Sequence, residues 1–453
     1  MLTYRQALEA IFQRADYERG DRPPYPERVW RLARVEELLS QIGDPHRAYP
    51  SVHIAGTKGK GSTTAMIESI LRAAGFRTGM YTSPHLHTFR ERIQIEGAPI
   101  SEEEVSAHME ELIPILKERP EVTVFEIITA LAMKAFRARG VAWGVFEVGM
   151  GGRLDATNVL LPEVAVITSI SLDHVNVLGH TLDAIAREKA GIIKEGRPVV
   201  SAPQRPEAME VIKRTAHERH APLILSGRDW QWRYEGTDGS RQWLTIWRRG
   251  SEHAPEYPHV ELPLLGAHQL ENACNAVAAI EILRERGVPI GQEAVRQGLR
   301  DVRWPGRLEV LGRAPLVVLD GAHNGYSMQR LLEALEAYLP HRRLFVVFGA
   351  GVTHNPAELL AEIAPRAEGL FITRSRHPKA APLETLSAIA QDMGRLFGTF
   401  EPVGAALEAA CAMAQAEDMI LVTGSLFVVA EAREAWASWH GWPPLPSDPP
   451  GVY

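Results

Sequence analysis

Several features that define special protein classes are scarce in this 453-residue chain. It has only two cysteines, Cys274 and Cys411, which lie far apart in the sequence. Because a disulfide scaffold or a cysteine-rich zinc site needs more cysteines at closer spacing, this scarcity argues against both and fits a reducing compartment. The net charge is −7, so no overall positive charge attracts nucleic acid. Any phosphate-bearing ligand must therefore be bound by local positive charge.

Long apolar segments are also missing. The apolar run at residues 344–352 falls well short of the roughly 18 residues that a membrane-spanning helix needs. Residues 1–7 lack the basic region and apolar core of a signal peptide, and the sequence contains no internal repeat. We therefore expect a soluble, cytoplasmic protein with no nucleic-acid or membrane partner, and the length favours two or three domains.

Predicted strands alternate with predicted helices through most of the chain. The runs at residues 143–149 and 164–170 are apolar on both faces, which is typical of a parallel sheet covered by helices. Aromatic and polar residues alternate at 226–262, which predicts a small antiparallel sheet. The predicted fold class is α/β. A P-loop-type, doubly wound ATPase domain at residues 1–300 carries the small antiparallel sheet, and a second, Rossmann-like α/β C-terminal domain follows at 301–453.

Individual elements follow from the same patterns. Prolines at residues 23–26 separate the first two helices, and the proline-rich residues 442–450 predict an extended tail. The predicted helices are residues 4–14, 28–42, 65–75, 101–117, 123–139, 268–286 and 291–299. Further strands are predicted at residues 79–82, 315–320, 344–348, 369–373 and 419–423.

A glycine-rich turn at residues 56–61 joins a predicted strand to a predicted helix. Glycines let the backbone approach an anion, and the free amides and dipole of the helix favour negative charge. The alternative is a plain strand-to-helix turn, but Lys60 inside the turn favours a nucleotide phosphate site. The segment departs from the Walker A pattern because Ile54 replaces its first glycine, and Gly61 stands where a serine or threonine would follow the lysine.

Polar residues stand at the ends of the predicted buried strands. Glu147 ends one strand and His174 follows the next. A buried carboxylate costs free energy unless it is paired or bound to a metal, and Mg²⁺ prefers oxygen ligands, so Glu147 suits it better than His174. Each residue alone could be a satisfied polar group at the sheet edge, but together with Lys60 they favour a metal–phosphate site.

In the C-terminal half, polar residues also follow predicted strands, but these motifs are less specific. Asp320 and His323 follow one predicted strand, and Ser425 follows another. Ser425 either binds a carboxylate or simply caps a helix. Arg307, near the domain boundary, either reaches a phosphate across a cleft or pairs with an interface carboxylate. From the residues alone, Lys189 would be an ordinary solvated helix lysine.

A set of motifs in this chain resembles the folylpolyglutamate synthase/dihydrofolate synthase family of the Mur ligase superfamily. The motifs occur in family order over most of the chain and are specific as a set. They are residues 53–62, 81–86, 125–126, 147–158, 172–174, 188–194, 268–273, 304–307, 320–324 and 422–426.

The resemblance implies ATP-dependent amide ligation. A folate or pteroate carboxylate would attack the γ-phosphate to give an acyl phosphate, and the amine of L-glutamate would then displace phosphate. Such chemistry depends mainly on positioning and on neutralising phosphate charge. A second possibility is a cell-wall Mur ligase, but those enzymes typically show Gly-Lys-Thr where this chain has Gly-Lys-Gly-Ser. A non-catalytic nucleotide-binding relative is a third, and the full set of site residues argues against it.

The resemblance also implies site residues, two Mg²⁺ ions and a monomer that binds only small molecules. The expected catalytic residues are Lys60, Lys189 and His323. The expected ATP-binding residues are Gly56, Thr57, Lys58, Gly59, Lys60, Gly61, Ser62, Asn272, Arg307 and Asp320. The expected Mg²⁺ ligands are Ser83, Glu147, His174 and a carbamylated Lys189. The expected folate or pteroate contacts are Phe125, Asp155 and Ala156, and the expected glutamate contacts are His323 and Ser425.

Two departures from common patterns stand out. Because Gly61 has no hydroxyl, the resemblance assigns the metal-binding hydroxyl to Ser83 instead. Residues 351–355, from Gly351 to Asn355, replace the acidic, lysine-bearing turn that the family usually shows. What this turn does for domain closure or for the glutamate site is left open.

Overall fold

The strands of this protein form three sheets in a computed structural model that describes residues 2–16, 31–352 and 355–452. The predicted proline break at 23–26 and the first residues of the predicted helix 28–42 lie outside the described residues. No helix in the described ranges is long and apolar enough to span a bilayer.

The largest sheet has eight strands in the order β4-β3-β2-β5-β1-β6-β7-β8. The six strands β2, β5, β1, β6, β7 and β8 run parallel to one another. At one edge, β3 pairs antiparallel with β2, and β4 pairs antiparallel with β3. The central strand β1 is buried along its whole length, as expected for a parallel sheet covered on both faces. The strands are β1 Ser51–Ala55, β2 Thr78–Tyr81, β3 Ile93–Ile95, β4 Ala98–Pro99, β5 Trp143–Glu147, β6 Val164–Ile167, β7 Val199–Ser201 and β8 Leu223–Leu225.

The helices of this first part cover the two faces of the sheet. Capping boxes begin α1, α4 and α5, where Thr3, Ser101 and Thr123 each accept a backbone amide three residues on. The helices are α1 Tyr4–Phe12, α2 Leu32–Gln41, α3 Lys60–Ala73, α4 Glu102–Lys117, α5 Val124–Ala138, α6 Val175–Leu178, α7 Leu182–Ala190, α8 Pro206–Glu218, α9 Ala267–Glu285 and α10 Gln292–Asp301. Short 3-10 helices lie at Pro45–Arg47, Phe89–Arg92 and Ala156–Val159.

The predicted helices 4–14, 101–117, 123–139, 268–286 and 291–299 are confirmed to within two residues at each end. For the predicted helix 65–75, the start at residue 65 is wrong, because the helix, α3, already begins at Lys60. Gly59 has the left-handed φ of +90° and ends the glycine turn there. Gly75, with φ +88°, follows the C-terminus of α3 in the left-handed conformation that glycine favours.

The predicted small antiparallel sheet is present as three strands in the order β11-β10-β9. Leu244, Ile246 and Tyr257 are fully buried in one core with Val52 and with α3 and α9, so this sheet packs onto the first part. Its strands are β9 Trp230–Thr237, β10 Gln242–Arg248 and β11 Tyr257–Leu262.

The third sheet has six strands in the order β12-β13-β17-β14-β15-β16, parallel except for β12. Val317 and Leu319 face one apolar core while Val318 faces another, so helices cover both faces. The α/β fold prediction is therefore confirmed, whereas the boundary near residue 300 stays a prediction. The strands are β12 Glu309–Arg313, β13 Leu316–Leu319, β14 Leu344–Phe348, β15 Gly369–Ile372, β16 Leu396–Thr399 and β17 Met419–Thr423. The helices are α11 Gly325–Tyr338, α12 Pro356–Ile363, α13 Leu383–Asp392, α14 Val403–Met413 and α15 Leu426–Trp439.

The tail after α15 lacks regular secondary structure in its described residues, as predicted. It nevertheless returns to the first part of the chain. The Asp448 carboxylate accepts hydrogen bonds from Tyr4 and Thr88, and Val452 is buried in the core formed around α1, α4 and α5. The domain assignment 301–453 does not anticipate this crossing.

Candidate active site

The glycine turn after β1 is shaped by close approaches of neighbouring side chains. Gly56 has φ +153°, and a Cβ there would lie 1.8 Å from Thr168 Oγ1. A Cβ on Gly59 would lie 2.3 Å from Asn272 Oδ1. The amides of Thr57 and Lys58 donate to the Ser169 carbonyl at 2.9 and 3.2 Å and hold the turn against the loop after β6. The first turn of α3 thus opens beside a rigid loop, which is the arrangement that binds phosphate.

Gly61 has a packing reason that the motif comparison missed. The Trp304 ring, from the segment that links α10 to β12, packs directly on Gly61. A Cβ there would lie 2.5 Å from Trp304 Cζ2. A serine or threonine therefore does not fit at residue 61 unless the ring moves. The lack of space for a side chain beside Trp304 therefore explains why residue 61 is glycine, and metal binding is not needed to explain it.

Lys60, Glu147 and Ser83 meet at one edge of the large sheet. Glu147 lies at the end of β5, which pairs with β1, and it is only 4% exposed. Lys60 Nζ is 3.8 Å from Glu147 Oε1, and the Ser83 amide donates to Glu147 Oε2 at 3.2 Å. Burial raises the pKa of Glu147, and the charge of Lys60 opposes that rise. The structure thus brings Lys60, Glu147 and Ser83 together, and their roles toward phosphate and Mg²⁺ stay predictions.

A cleft opens beside this group. It is lined by Gly56, Thr57, Lys60, Gly149, Met150, Gly151, Asp173, His174 and Lys189. His174 has the left-handed φ of +50° and lies on the loop after β6, with Nδ1 4.0 Å from Asp173 Oδ1. Within the described ranges, no three His, Cys, Asp or Glu side chains form a metal-binding group. The protein alone therefore offers Mg²⁺ one buried carboxylate here, together with weaker donors.

Asp173 is a site residue that the sequence prediction did not include. Lys58 Nζ lies 3.1 Å from Asp173 Oδ2, so the ion pair joins the glycine turn to the loop after β6. Burial would raise the pKa of Asp173, but the charges of Lys58 and His174 outweigh burial and lower it. Asp173 thus remains ionised and fixes Lys58 beside the cleft.

Lys189 is not the solvated lysine that its residues alone predict. It lies in the last turn of α7, is 4% exposed, and donates from Nζ to the Gly56 carbonyl at 2.8 Å. Burial, together with the charge of Lys60, lowers the pKa of Lys189 to about 7. A substantial fraction of this amine is therefore neutral near pH 7.

Asp155 forms hydrogen bonds with residues that precede it and follow it in the chain, close to the cleft. Its Oδ1 accepts the Thr157 amide at 3.0 Å and its Oδ2 accepts the Met150 amide at 3.0 Å. The Thr157 hydroxyl also donates to Asp155, and His53 Nε2 lies 2.8 Å from that hydroxyl. The carboxylate is thus engaged by the protein, and a direct contact between Asp155 and a folate stays a prediction.

Phe125 and Ala156 are the other two residues expected at the folate or pteroate. The Phe125 ring packs on Gly149, where a Cβ would lie 2.4 Å from the ring, and it lies 6.0 Å from the Tyr81 ring. Ala156 is buried at the start of the 3-10 helix Ala156–Val159. The two residues lie near the glycine-rich loop after β5, and their contact with a folate or pteroate stays a prediction.

Charged groups of the second part of the chain interact electrostatically with carboxylates of the first part. Asp320 accepts the Leu308 and Ala322 amides at 2.9 Å each. Burial raises the pKa of Asp320, and the charge of Arg307 opposes this. The charge of Arg307 also lowers the pKa of Glu147, so the two groups interact electrostatically. The charge of His323 lowers the pKa of Asp173 in the same way.

Asn272 lies beside the glycine turn, whereas Ser425 caps a helix in the second part of the chain. Asn272 donates to Gln269 at 3.0 Å, and Gln269 donates to Ser62 at 3.2 Å, so both α9 side chains lie beside the glycine turn. Sequence reasoning missed Gln269. Ser425 accepts the Phe427 amide at 3.2 Å and caps α15, which is the plainer of its two expected roles. Its contact with glutamate stays a prediction.

The turn that departs from the family pattern pairs with a neighbouring loop. The Val352 amide donates to the Lys379 carbonyl at 2.9 Å, and Asn355 caps α12. Residues 353 and 354 lie outside the described residues, so the role of this turn stays open.

Comparison with known proteins assigns both parts of the chain. Residues 54–280 match the Mur ligase middle domain, and residues 306–426 match the glutamate ligase domain of Mur ligases. A Bacillus subtilis protein named dihydrofolate synthase/folylpolyglutamate synthase is 35% identical over 412 residues, which cover 89% of this chain and 94% of the relative.

Solved structures agree over nearly the whole length. The crystal structure of folylpolyglutamate synthase from Thermotoga maritima has a TM-score of 0.83 at 31% identity, and the match covers 96% of this chain and 97% of the other. Escherichia coli FolC in complex with DHPP and ADP has a TM-score of 0.81 at 30% identity, covering 97% and 98% of the two chains.

Proposed function

This chain belongs to the folylpolyglutamate synthase/dihydrofolate synthase family of Mur ligases, and we propose that it joins L-glutamate to folates, to dihydropteroate, or to both at the expense of ATP. One observation supports this most directly. Lys60, Glu147 and Lys189 converge on a glycine turn that opens into a helix. The charge of Arg307, from the second domain, also acts on Glu147. Lys60 and Arg307 are therefore the cations proposed to meet the phosphate charge.

The proposed reaction, which the family resemblance implies, has two steps. The acceptor carboxylate attacks the γ-phosphorus, the bond to the bridging oxygen breaks, and ADP leaves with that electron pair. The glutamate amine then attacks the acyl phosphate carbon, loses a proton, and displaces inorganic phosphate. Lys60 and the amides at residues 56–62 hold the phosphates, and Arg307 adds a second cation, because phosphoryl transfer depends on positioning and charge neutralisation. Asn272 and Asp320 complete the proposed ATP site.

The site suits Mg²⁺ although the protein supplies few oxygen donors. Mg²⁺ at phosphate sites is commonly held by one or two carboxylates together with substrate phosphates and water. Glu147 is such a carboxylate, buried at the cleft and held in place by the Ser83 amide. We assign Ser83, Glu147 and His174 to the first ion, which when bound would neutralise phosphate charge.

A second ion requires a change at Lys189. A neutral lysine amine can attack CO₂, lose a proton and become an anionic carbamate with two oxygen donors. The lowered pKa of Lys189, about 7, makes the neutral amine available. Its Nζ lies against Gly56 in the cleft wall, so the carbamate would face the phosphates.

The two remaining substrates are assigned by proximity. Phe125, Asp155 and Ala156 lie near the loop that follows Glu147, which suits the folate or pteroate end. His323 and Ser425 lie on the second domain and suit the incoming glutamate. We further propose that the protein is monomeric and takes only these small molecules.

The test is an acceptor panel in one assay of ADP release with ATP, Mg²⁺ and L-glutamate. Tetrahydrofolate and dihydropteroate are the expected acceptors, and a nucleotide-linked muramyl acceptor tests the cell-wall alternative. Release that requires both glutamate and a folate-type acceptor supports the proposal. ATP binding without turnover of either folate-type acceptor would refute it and leave a non-catalytic nucleotide-binding protein.

A further inference from the structure

The loop at residues 83–92, called here the Ser83 loop, is fixed internally by one carboxylate. Glu91 accepts the amides of Leu86, His87 and Thr88, at distances between 2.8 and 3.3 Å. Glu91 thus ties residues 86–88 together, and the Thr82 amide closes the loop just before Ser83 by donating to the Arg92 carbonyl at 3.1 Å. The contacts that hold residues 86–92 from outside therefore bear on the position of Ser83 relative to Glu147.

Helix α15 makes two contacts with the Ser83 loop. Leu86 packs against the apolar cluster of the second domain to which Val429 belongs. His87 Nδ1 lies 3.3 Å from Glu434 Oε1, and Arg433 lies 3.4 Å from the other ring nitrogen. Because α15 begins at the Ser425 cap, one rigid helix connects the proposed glutamate site to the loop that carries Ser83.

The third contact comes from the tail beyond α15. Asp448 Oδ1 accepts the Tyr4 and Thr88 hydroxyls at 2.6 Å each, and Oδ2 accepts the Phe89 amide at 2.6 Å. Burial and the Asp448 carboxylate raise the pKa of Tyr4, so its hydroxyl remains a donor. Hydrogen bonds to an ionised group are stronger than those between neutral groups. Nearby, Arg5 donates to the Pro450 carbonyl at 3.2 Å, and Val452 is buried.

We propose that Asp448 is a positioning residue, which fixes the Ser83 loop through Thr88 and Phe89 and thereby sets the place of Ser83 beside Glu147. The tail and α15 thus add contacts from the second domain to a loop that the first domain also holds, where Ser83 meets Glu147 and Phe89 is buried in the core around α1, α4 and α5. The catalytic consequence rests on the proposed function, because Ser83 matters only if it contributes to the Mg²⁺ site. The mechanical consequence does not depend on it.

The experiment compares Asp448→Ala with Ser447→Ala, a neighbouring exposed tail residue. Hydrogen–deuterium exchange of peptides from residues 83–92 reports the loop directly, without turnover. We expect exchange of the loop amides to rise about tenfold in Asp448→Ala and to stay unchanged in Ser447→Ala. Tyr4→Phe removes one donor and leaves the tail residue intact, so a smaller rise is expected there.

Steady-state kinetics supply the second readout. The apparent activation constant for Mg²⁺ should rise about five- to tenfold in Asp448→Ala, and the effect on kcat at saturating Mg²⁺ should be smaller, since the residue acts on position and touches no substrate. Unchanged loop exchange in Asp448→Ala overturns the proposal. Raised exchange with an unchanged Mg²⁺ requirement overturns its catalytic part.

These outcomes are distinct from failure of the proposed function. If the wild-type protein turns over no folate-type acceptor, the ligase assignment fails while the exchange result still decides whether Asp448 holds the loop. If the wild type is active and the loop exchanges equally in every variant, the ligase assignment stands and the positioning role is refuted.

Discussion

Replacement of Gly61 by alanine tests how the linker and the phosphate turn fit together. Gly61 lies in the first turn of α3, where alanine would ordinarily stabilise a helix by about 1 kcal/mol. The added Cβ would lie 2.5 Å from Trp304 Cζ2, about an ångström inside ordinary contact. Forcing an extra methyl group into packed surroundings costs about 1–3 kcal/mol. We therefore expect the steric cost to exceed the gain in helix propensity.

The effect on nucleotide binding depends on whether α3 or the Trp304 ring moves to relieve this clash. If the first turn of α3 shifts away from Trp304, the amides around Lys60 leave the positions that phosphate requires. A cost of about 1–3 kcal/mol paid on binding corresponds to ADP affinity weaker by about 5- to 150-fold. Isothermal titration of ADP into Gly61→Ala measures this directly.

Two further variants make the reasoning refutable. Trp304→Ala makes room, so adding Gly61→Ala to it should change ADP affinity by less than about twofold, because the coupling between contacting residues is then removed. Gly291→Ala is the matched control, since no atom lies within 4 Å of a Cβ at that position. Wild-type ADP affinity in Gly61→Ala, or an equal loss with and without the Trp304 ring, contradicts the steric explanation.

Three more predictions follow from the site. Lys60→Met should lower kcat by at least about 100-fold, because a cation facing transferred phosphate is lost, while circular dichroism shows an unchanged fold; near-normal turnover refutes the phosphate role. Lys189→Ala should be nearly inactive and regain part of its activity with short carboxylic acids, and no rescue in a formate and acetate series argues against the carbamate. Burial lowers the pKa of His53 to about 3, so between about pH 6.5 and 3 the unfolded chain binds the extra proton and stability falls as pH falls. His53→Gln should flatten that acid limb in thermal unfolding at pH 7 and pH 5, and an unchanged slope would contradict the assignment.

The sheet and its helices could be predicted because they depend on local patterns. The apolar runs that became β5 and β6 are continuous, and the caps Ser101 and Thr123 mark helix starts in the sequence itself. The start of α3 could not be predicted. Residues 61–64 are glycine, serine and threonines, which favour helix weakly, and they are helical because neighbouring helices bury them.

Some residues of the candidate site could be predicted from local sequence patterns, and others could not. Glu147 could be identified because a carboxylate at the end of a buried parallel strand faces the usual ligand edge. The roles of Asp173 and Trp304 depend on which loops meet across the sheet and across the linker, and no local pattern carries that information. Lys189 differs from a surface lysine because the fold buries it and places its amine against the Gly56 carbonyl.

The docked tail changes the mechanics of the two parts of the chain. The segment that follows α10 meets the first part of the chain where the Trp304 ring packs on Gly61, and the tail returns to the first part where Asp448 meets Thr88. A body attached at one point can rotate in any direction, whereas each further attachment removes some of that freedom. While Asp448 stays bound, the second part of the chain is therefore restrained relative to the first at its C-terminal end as well as at its entry.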